Sequence, residues 1–129
     1  MERELPPPDF FKGVAEFNAR EFFECHETLE KIWLEEPGEI RKLYQGILQI
    51  GVGFYHCLTR QNYRGAVTLL QNGIDKCRPF APQQFGLNLE ALIKETELAL
   101  SRIKELGTEH IANFDSSLIP TLNEISQIG

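Results

Sequence analysis

Residues 43–59, LYQGILQIGVGFYHCLT, are the longest stretch of the chain without a charged side chain. Apolar residues in it and just before it recur at the spacing of one helix face: Ile40, Leu43, Ile47, Ile50, Phe54 and Leu58. The stretch has 17 residues and contains two Gln and a His, so it is too short and too polar for a membrane-spanning helix. We therefore predict a buried central helix over residues 39–59, with the other helices packed around it.

Four further helices are predicted from the same periodicity, over residues 10–18, 21–35, 62–77 and 87–106. Asp9 and Asn62 suit helix starts, Pro37 suits the first turn of the central helix, and Gly107 suits the end of the last helix. Residues 80–85 are expected to form a loop, and the tail after Gly107 to lie across the bundle or make one short helix. No segment alternates with the period of a strand over a useful length, so the predicted fold class is all-α.

The arrangement of these helices is indicated by a weak internal repeat. When the sequence is aligned with itself at an offset of 41 residues, four positions of the second predicted helix match four positions of the fourth. The first set is Phe22, Cys25, Leu29 and Trp33, and the second is Tyr63, Ala66, Leu70 and Ile74. Two such units are too few for a solenoid of stacked hairpins. We predict one compact domain over residues 1–129, a bundle of two antiparallel hairpins with the helix over 87–106 packed across them.

Composition is that of an ordinary globular protein, with 42% hydrophobic and 25% charged residues. The net charge of −6 argues against nucleic-acid and membrane partners. Charge is unevenly spread, because residues 40–80 hold one acidic and six basic side chains. Cys25, Cys57 and Cys77 are widely spaced and form no CxxC pair, which is typical of reduced thiols. We expect a cytoplasmic protein.

Two of the predicted helices carry polar residues at positions where an ordinary helix would have Leu or Ala. His26 lies among the apolar residues of the second helix, and Glu30 follows one turn later on the shoulder of the same face. On the central helix, Gln45, Gln49 and His56 form a stripe opposite the apolar one. Charged residues would be expected on a solvent-facing stripe, so these groups are predicted to face a neighbouring helix or a site.

Two interpretations of this cluster remain open. In the first, the His, Glu and Gln side chains, with Trp33, form a buried hydrogen-bond network in a structural or interaction module that needs no cofactor and binds an unidentified protein or a second copy. In the second, His26, Glu30 and His56 bind a divalent metal ion in a hydrolase, Glu27 is a candidate base, and Gln45 or Gln49 orients the ligands. His26-Glu27-Thr28-Leu29-Glu30 lacks the second His of the HExxH zinc motif.

An ordered set of residues resembles the domain-of-unknown-function family numbered 309. The set is Phe17-Asn18, Phe23-x-x-His26-Glu27-x-Leu29-Glu30-x-x-Trp33, Gln45-Gly46-x-x-Gln49 with His56, and Asn62-x-x-Gly65-Ala66. The resemblance covers about residues 10–78 and implies a compact helical bundle. Some descriptions label the family a predicted metal-dependent hydrolase, with no reaction or substrate. The family residues that match are His26, Glu27, Glu30, Trp33, Gln45, Gln49 and His56. Gly51 and Gly53 stand where Ala is more usual, and Cys25 where Ala is common.

Overall fold

Five α-helices make up most of the chain in a computed structural model, which describes residues 5–125. They are α1 Pro8–Asn18, α2 Phe22–Glu35, α3 Arg41–Tyr55, α4 Tyr63–Cys77 and α5 Leu89–His110. Two short antiparallel strands, β1 Gln83–Gln84 and β2 Leu87–Asn88, connect α4 to α5. The predicted all-α bundle of about five main helices is confirmed. None of the helices in this range is long and apolar enough to cross a bilayer.

The helix α3 is at the centre of the fold, as its apolar stripe predicts. Leu43, Ile47, Ile50 and Phe54 have no exposed surface. The helix packs against α2 on one side and α4 on the other, whereas α2 and α4 make no comparable contact within residues 5–125. The outer helices continue the series, since α1 packs on α2 and α5 packs on α4.

The start of α3 differs from the prediction. The helix begins at Arg41 and not at residue 39, and Pro37 lies outside it. Glu36 has an extended backbone, with φ −90° and ψ 118°, because a residue before proline avoids the helical region. At α1, the helix begins at Pro8, so Asp9 lies in the first turn and is not the N-cap.

The end of α3 also differs. The α-helical geometry stops at Tyr55 and one π-helical turn, His56–Arg60, replaces the predicted last turn. Leu58 is consequently 38% exposed and is not part of the buried stripe. Asn62 then starts α4 as predicted, because its side-chain oxygen accepts a hydrogen bond from the Gly65 N–H at 3.0 Å.

The predicted loop over 80–85 contains β1, and the tail returns to it. Leu87 bridges to Glu124, and the Ile125 N–H donates to the Gly86 carbonyl. The Arg20 guanidinium donates to the carbonyl oxygens of Ile119 and Pro120 at 2.7 and 2.8 Å. The tail therefore lies across the bundle, in two short 3-10 turns and one bridge, up to residue 125; its last four residues are outside the described range.

Gly107 has a φ of +69°, which interrupts α5 as the C-cap prediction requires. A last helical turn follows it to His110. The N-terminal end of α5 is at Leu89, where the Asn88 side chain accepts from the Ala91 N–H at 2.9 Å. The predicted start at residue 87 was wrong because Leu87 pairs in β2.

Candidate functional site

Half-buried side chains follow one another along α3 from residue 41 to residue 56, and we treat them as one candidate binding surface. Half-buried residues of α3 form its floor: Arg41, Gln45, Gln49, Val52 and, in the π-helical turn, His56. Half-buried side chains of α2 form one wall: His26, Glu30 and Trp33. We call these eight residues the α3 groove. Its residues come from α2, from α3 and from the π-helical turn, and α2 packs directly on α3.

One end of the α3 groove widens into a pocket of about 180 Å³. Both histidines line it, together with four apolar or aromatic side chains: Phe22, Phe23, Val52 and Tyr55. The structure therefore brings His26 and His56 to the same pocket. The other four members of the predicted polar cluster, Glu30, Trp33, Gln45 and Gln49, do not line it.

The position of His56 depends on the turn that follows it. Its carbonyl accepts the hydrogen bond of the π-helical turn from the Gln61 N–H and a second one from the Asn62 N–H at 2.9 Å. A Cβ atom at Gly65 would lie 3.3 Å from the imidazole Cγ of His56 and 2.6 Å from Nδ2 of Asn62. Gly65 thus leaves the space in which the imidazole packs against α4. A π-helical turn often occurs at a functional position.

At the other end of the α3 groove, Arg41 lies over Trp33. The guanidinium carbon is 5.0 Å from the centroid of the Trp33 ring, within the range of a cation–π contact. The Nε–H of Arg41 also lies 3.5 Å from the Trp33 carbonyl oxygen. The indole is therefore half-buried at the groove wall, and the sequence did not identify Arg41 as its partner.

Three buried polar atoms along the α3 groove have no hydrogen-bond partner within the described part of the chain. They are Nε1 of Trp33, Oε1 of Gln49 and Nδ1 of His56. The predicted direct hydrogen bonds between α2 and α3 are therefore not made by these atoms. An unpaired buried donor or acceptor costs about 1–3 kcal/mol, so each atom gains stability when something outside residues 5–125 pairs with it.

The candidate metal ligands do not form a cluster. Among residues 5–125, no three His, Cys, Asp or Glu side chains are grouped so that they could hold a metal ion. The predicted ligands His26, Glu30 and His56 are consequently not gathered at one point. Glu27, the candidate base, is exposed and does not line the pocket.

The thiols offer no nucleophile to the site. Burial raises the pKa of Cys57 to about 11 and the pKa of Cys25 and Cys77 to about 12. All three side chains are almost fully buried, which disfavours the thiolate. Cys57 follows His56 in the chain and Cys25 precedes His26, yet neither lines the pocket.

Some residues of the site have no signal in the periodicity of the sequence. Phe23 and Tyr55 line the pocket although neither belongs to a predicted core or polar stripe. Gly65 is present in the family-like pattern Asn62-x-x-Gly65, which was the available signal. Its contact with His56 depends on how α4 packs against α3, and a single helix does not encode that.

The chain is similar to one protein family and to one curated protein. The family model described as "Domain of unknown function (DUF309)" matches residues 10–69. This range covers α1 to α3, the π-helical turn and the first half of α4. The chain is also 34% identical over 122 residues to the uncharacterized protein YpuF of Bacillus subtilis (strain 168), and the match covers 92% of this chain and 67% of the relative.

Proposed function

Since the chain belongs to the DUF309 family, which is defined by sequence and not by an activity, we propose its function from the geometry of the α3 groove. The protein is a non-enzymatic interaction module that binds a polypeptide segment of a partner along this groove. The His, Gln and Trp side chains contact the bound segment, and the helices on either side hold those side chains in place.

The observation that carries this proposal is the unpaired state of Nε1 of Trp33, Oε1 of Gln49 and Nδ1 of His56 within residues 5–125. An indole N–H is a donor only, an amide oxygen is an acceptor only, and the imidazole nitrogen is one or the other according to its tautomer. A ligand that pairs with all three must offer donors and acceptors along its length. A peptide backbone does so at every residue.

The metal-dependent hydrolase has less support. Its three proposed ligands are not grouped among the described residues, and the family-like sequence lacks a second His one turn after His26. Binding through the groove needs no metal and no further residue.

The test compares peptide binding with stability in matched Gln→Leu variants. Peptides are first selected from a random library on the unmodified protein, and their affinities are then measured by isothermal titration calorimetry. Gln49→Leu should weaken binding about tenfold or more, the equivalent of one hydrogen bond to a buried group. The same variant should be more stable by about 1 kcal/mol, because an unpaired buried acceptor is replaced by an apolar group.

Gln71→Leu is the matched control. Gln71 is half-buried on α4, but its amide already donates to the Asp75 carboxylate at 3.1 Å. Its replacement should leave peptide affinity unchanged and give no gain in stability. Selected peptides that bind Gln49→Leu as tightly as the unmodified protein would refute binding in the α3 groove.

A cytoplasmic location belongs to the same proposal. It is supported by the three free cysteines, which are buried within the helices and not paired with one another. Reduced thiols of this kind are usual in proteins of a reducing compartment.

A further inference from the structure

The pocket that His26 and His56 line is at one end of the α3 groove, and its lining indicates which kind of side chain of a partner it binds. Building on the function proposed above, we propose that it binds an apolar side chain, such as a phenyl ring, that has a carboxylate next to it. The partner segment would thus be an acidic and aromatic one. Four features of the pocket support this choice: its apolar walls, its size, the Arg60 side chain beside it and His56 in its lining.

The walls of the pocket are apolar and one of them is unusually exposed. Phe22, Val52 and Tyr55 line it together with Phe23, which has 58% of its surface exposed. A large apolar side chain that is exposed beside a concave surface indicates a binding site. The volume of about 180 Å³ is sufficient for a ring, since benzene occupies an apolar cavity of about 150 Å³.

One basic side chain lies beside the pocket. The Arg60 guanidinium carbon is 5.9 Å from the centroid of the Tyr55 ring, and no carboxylate is part of the lining. Arg60 is exposed and makes no salt bridge within residues 5–125. The α2 acids next to the lining residues are Glu24 and Glu27, which are exposed to solvent, and Glu30, which is half-buried one turn after His26. Arg60 can therefore pair with a carboxylate of a bound segment.

One polar side chain of the lining adds to the match. His56 lines the pocket, and its buried Nδ1 has no partner in the described part of the chain. An imidazole N–H that faces the pocket would donate to a carboxylate oxygen in a charge-assisted hydrogen bond, which is stronger than a bond to a neutral acceptor. The apolar side chain would then fill the space between Phe22, Phe23 and Val52, with the carboxylate between His56 and Arg60.

The test uses three small probes of the same shape: phenylpropionate, phenylpropionamide and phenylpropylamine. Each is titrated into the complete, isotope-labelled protein, and binding is followed by the amide NMR shifts of Phe23, Tyr55 and His56. The carboxylate should bind in the millimolar range, about threefold to fivefold more tightly than the amide, because an exposed ion pair contributes a factor of this order. The amine should bind most weakly.

The variant Arg60→Gln should reduce the ratio of the affinity for the carboxylate to the affinity for the amide. Lys94→Gln is the control, because it removes the same charge from α5, away from the pocket, and it should leave this ratio unchanged. Equal affinity for carboxylate and amide would overturn the charge preference and leave peptide binding in the groove intact. If none of the probes shifts the three amides, the pocket is not a ligand site and the inference fails. The Gln49→Leu experiment then still decides the proposed function by itself.

Discussion

The close contact of α3 with α4 leads to the most direct test of the fold, the substitution Gly73→Ala. A Cβ atom at position 73 would lie 2.6 Å from Cγ1 of Ile50, 2.7 Å from the carbonyl oxygen of Gly46 and 2.9 Å from the backbone nitrogen of Ile50. Two of these three atoms are backbone atoms of α3. They cannot rotate away, so the two helices must separate along this contact.

Two opposing effects set the magnitude. Alanine in place of glycine within a helix gains about 1 kcal/mol of helix propensity. Forcing a methyl group into a packed interface costs about 1–3 kcal/mol, and more where backbone must move. With two backbone clashes the cost is at or above the upper end, so we expect a net loss of about 2 kcal/mol. With an unfolding entropy of about 2.1 cal/mol/K per residue, this lowers the melting temperature by roughly 7 °C.

The assay is thermal and urea unfolding of Gly73→Ala followed by circular dichroism, with Gly51→Ala as the control. A Cβ at Gly51 would approach Cδ1 of Phe22 to 3.3 Å, and that ring edge is a side chain that can shift. The free energy of unfolding of Gly51→Ala should therefore be unchanged or higher by up to about 1 kcal/mol. If Gly73→Ala were as stable as the control, α3 and α4 would not pack as described, and the floor of the α3 groove would be wrong.

Three further predictions concern the core, metal binding and the thiols. Ile47→Asp should abolish soluble, cooperatively folded protein, because Ile47 has no exposed surface and an unpaired charge cannot be buried there; a soluble variant with a cooperative melt would contradict the architecture. Zn²⁺, Mn²⁺ and Ni²⁺ should shift the melting temperature of the unmodified protein and of His26→Ala equally; a gain confined to the unmodified protein, abolished by EDTA, would restore the metal-site hypothesis. The folded-state pKa of Cys25, Cys57 and Cys77 is raised above the ordinary 9.0, so their contribution to stability is complete below pH 9 and is lost as the pH rises towards 11 to 12. Urea unfolding should show a loss of up to about 1.4 kcal/mol per thiol and pH unit in that range, and Cys25→Ala should show a shallower loss; an unchanged slope would refute the assignment.

Helix positions were predictable because a helix face that is buried must be apolar at helical spacing. This is why α3 was identified as the central helix from Leu43, Ile47, Ile50 and Phe54 alone. Capping residues were predictable where the side chain accepts a hydrogen bond from its own helix, as Asn62 does. Pro37 misled the prediction, because a proline that is suitable for a first helical turn also forces an extended residue before it.

The candidate site was predictable only in part. The polar stripe of α3 and the inward position of His26 follow from local spacing, and both histidines do line one pocket. Whether Glu30 joins them depends on the relative register of α2 and α3, which side-chain packing sets. Glu30 does not line the pocket, and within residues 5–125 no three His, Cys, Asp or Glu side chains are grouped so that they could hold a metal ion.

Which segments are helical and which face of each is apolar could be predicted from the residues alone, since these properties depend on residues within a few positions of one another. Three features became visible only in the folded chain: the π-helical turn that ends α3, the space that Gly65 leaves for His56, and the hydrogen bonds from Arg20 to two carbonyl groups of the tail. The last two join residues of different elements, so their energy depends on how the elements pack. The α3 groove is such a product of packing, because its floor and its walls come from separate helices.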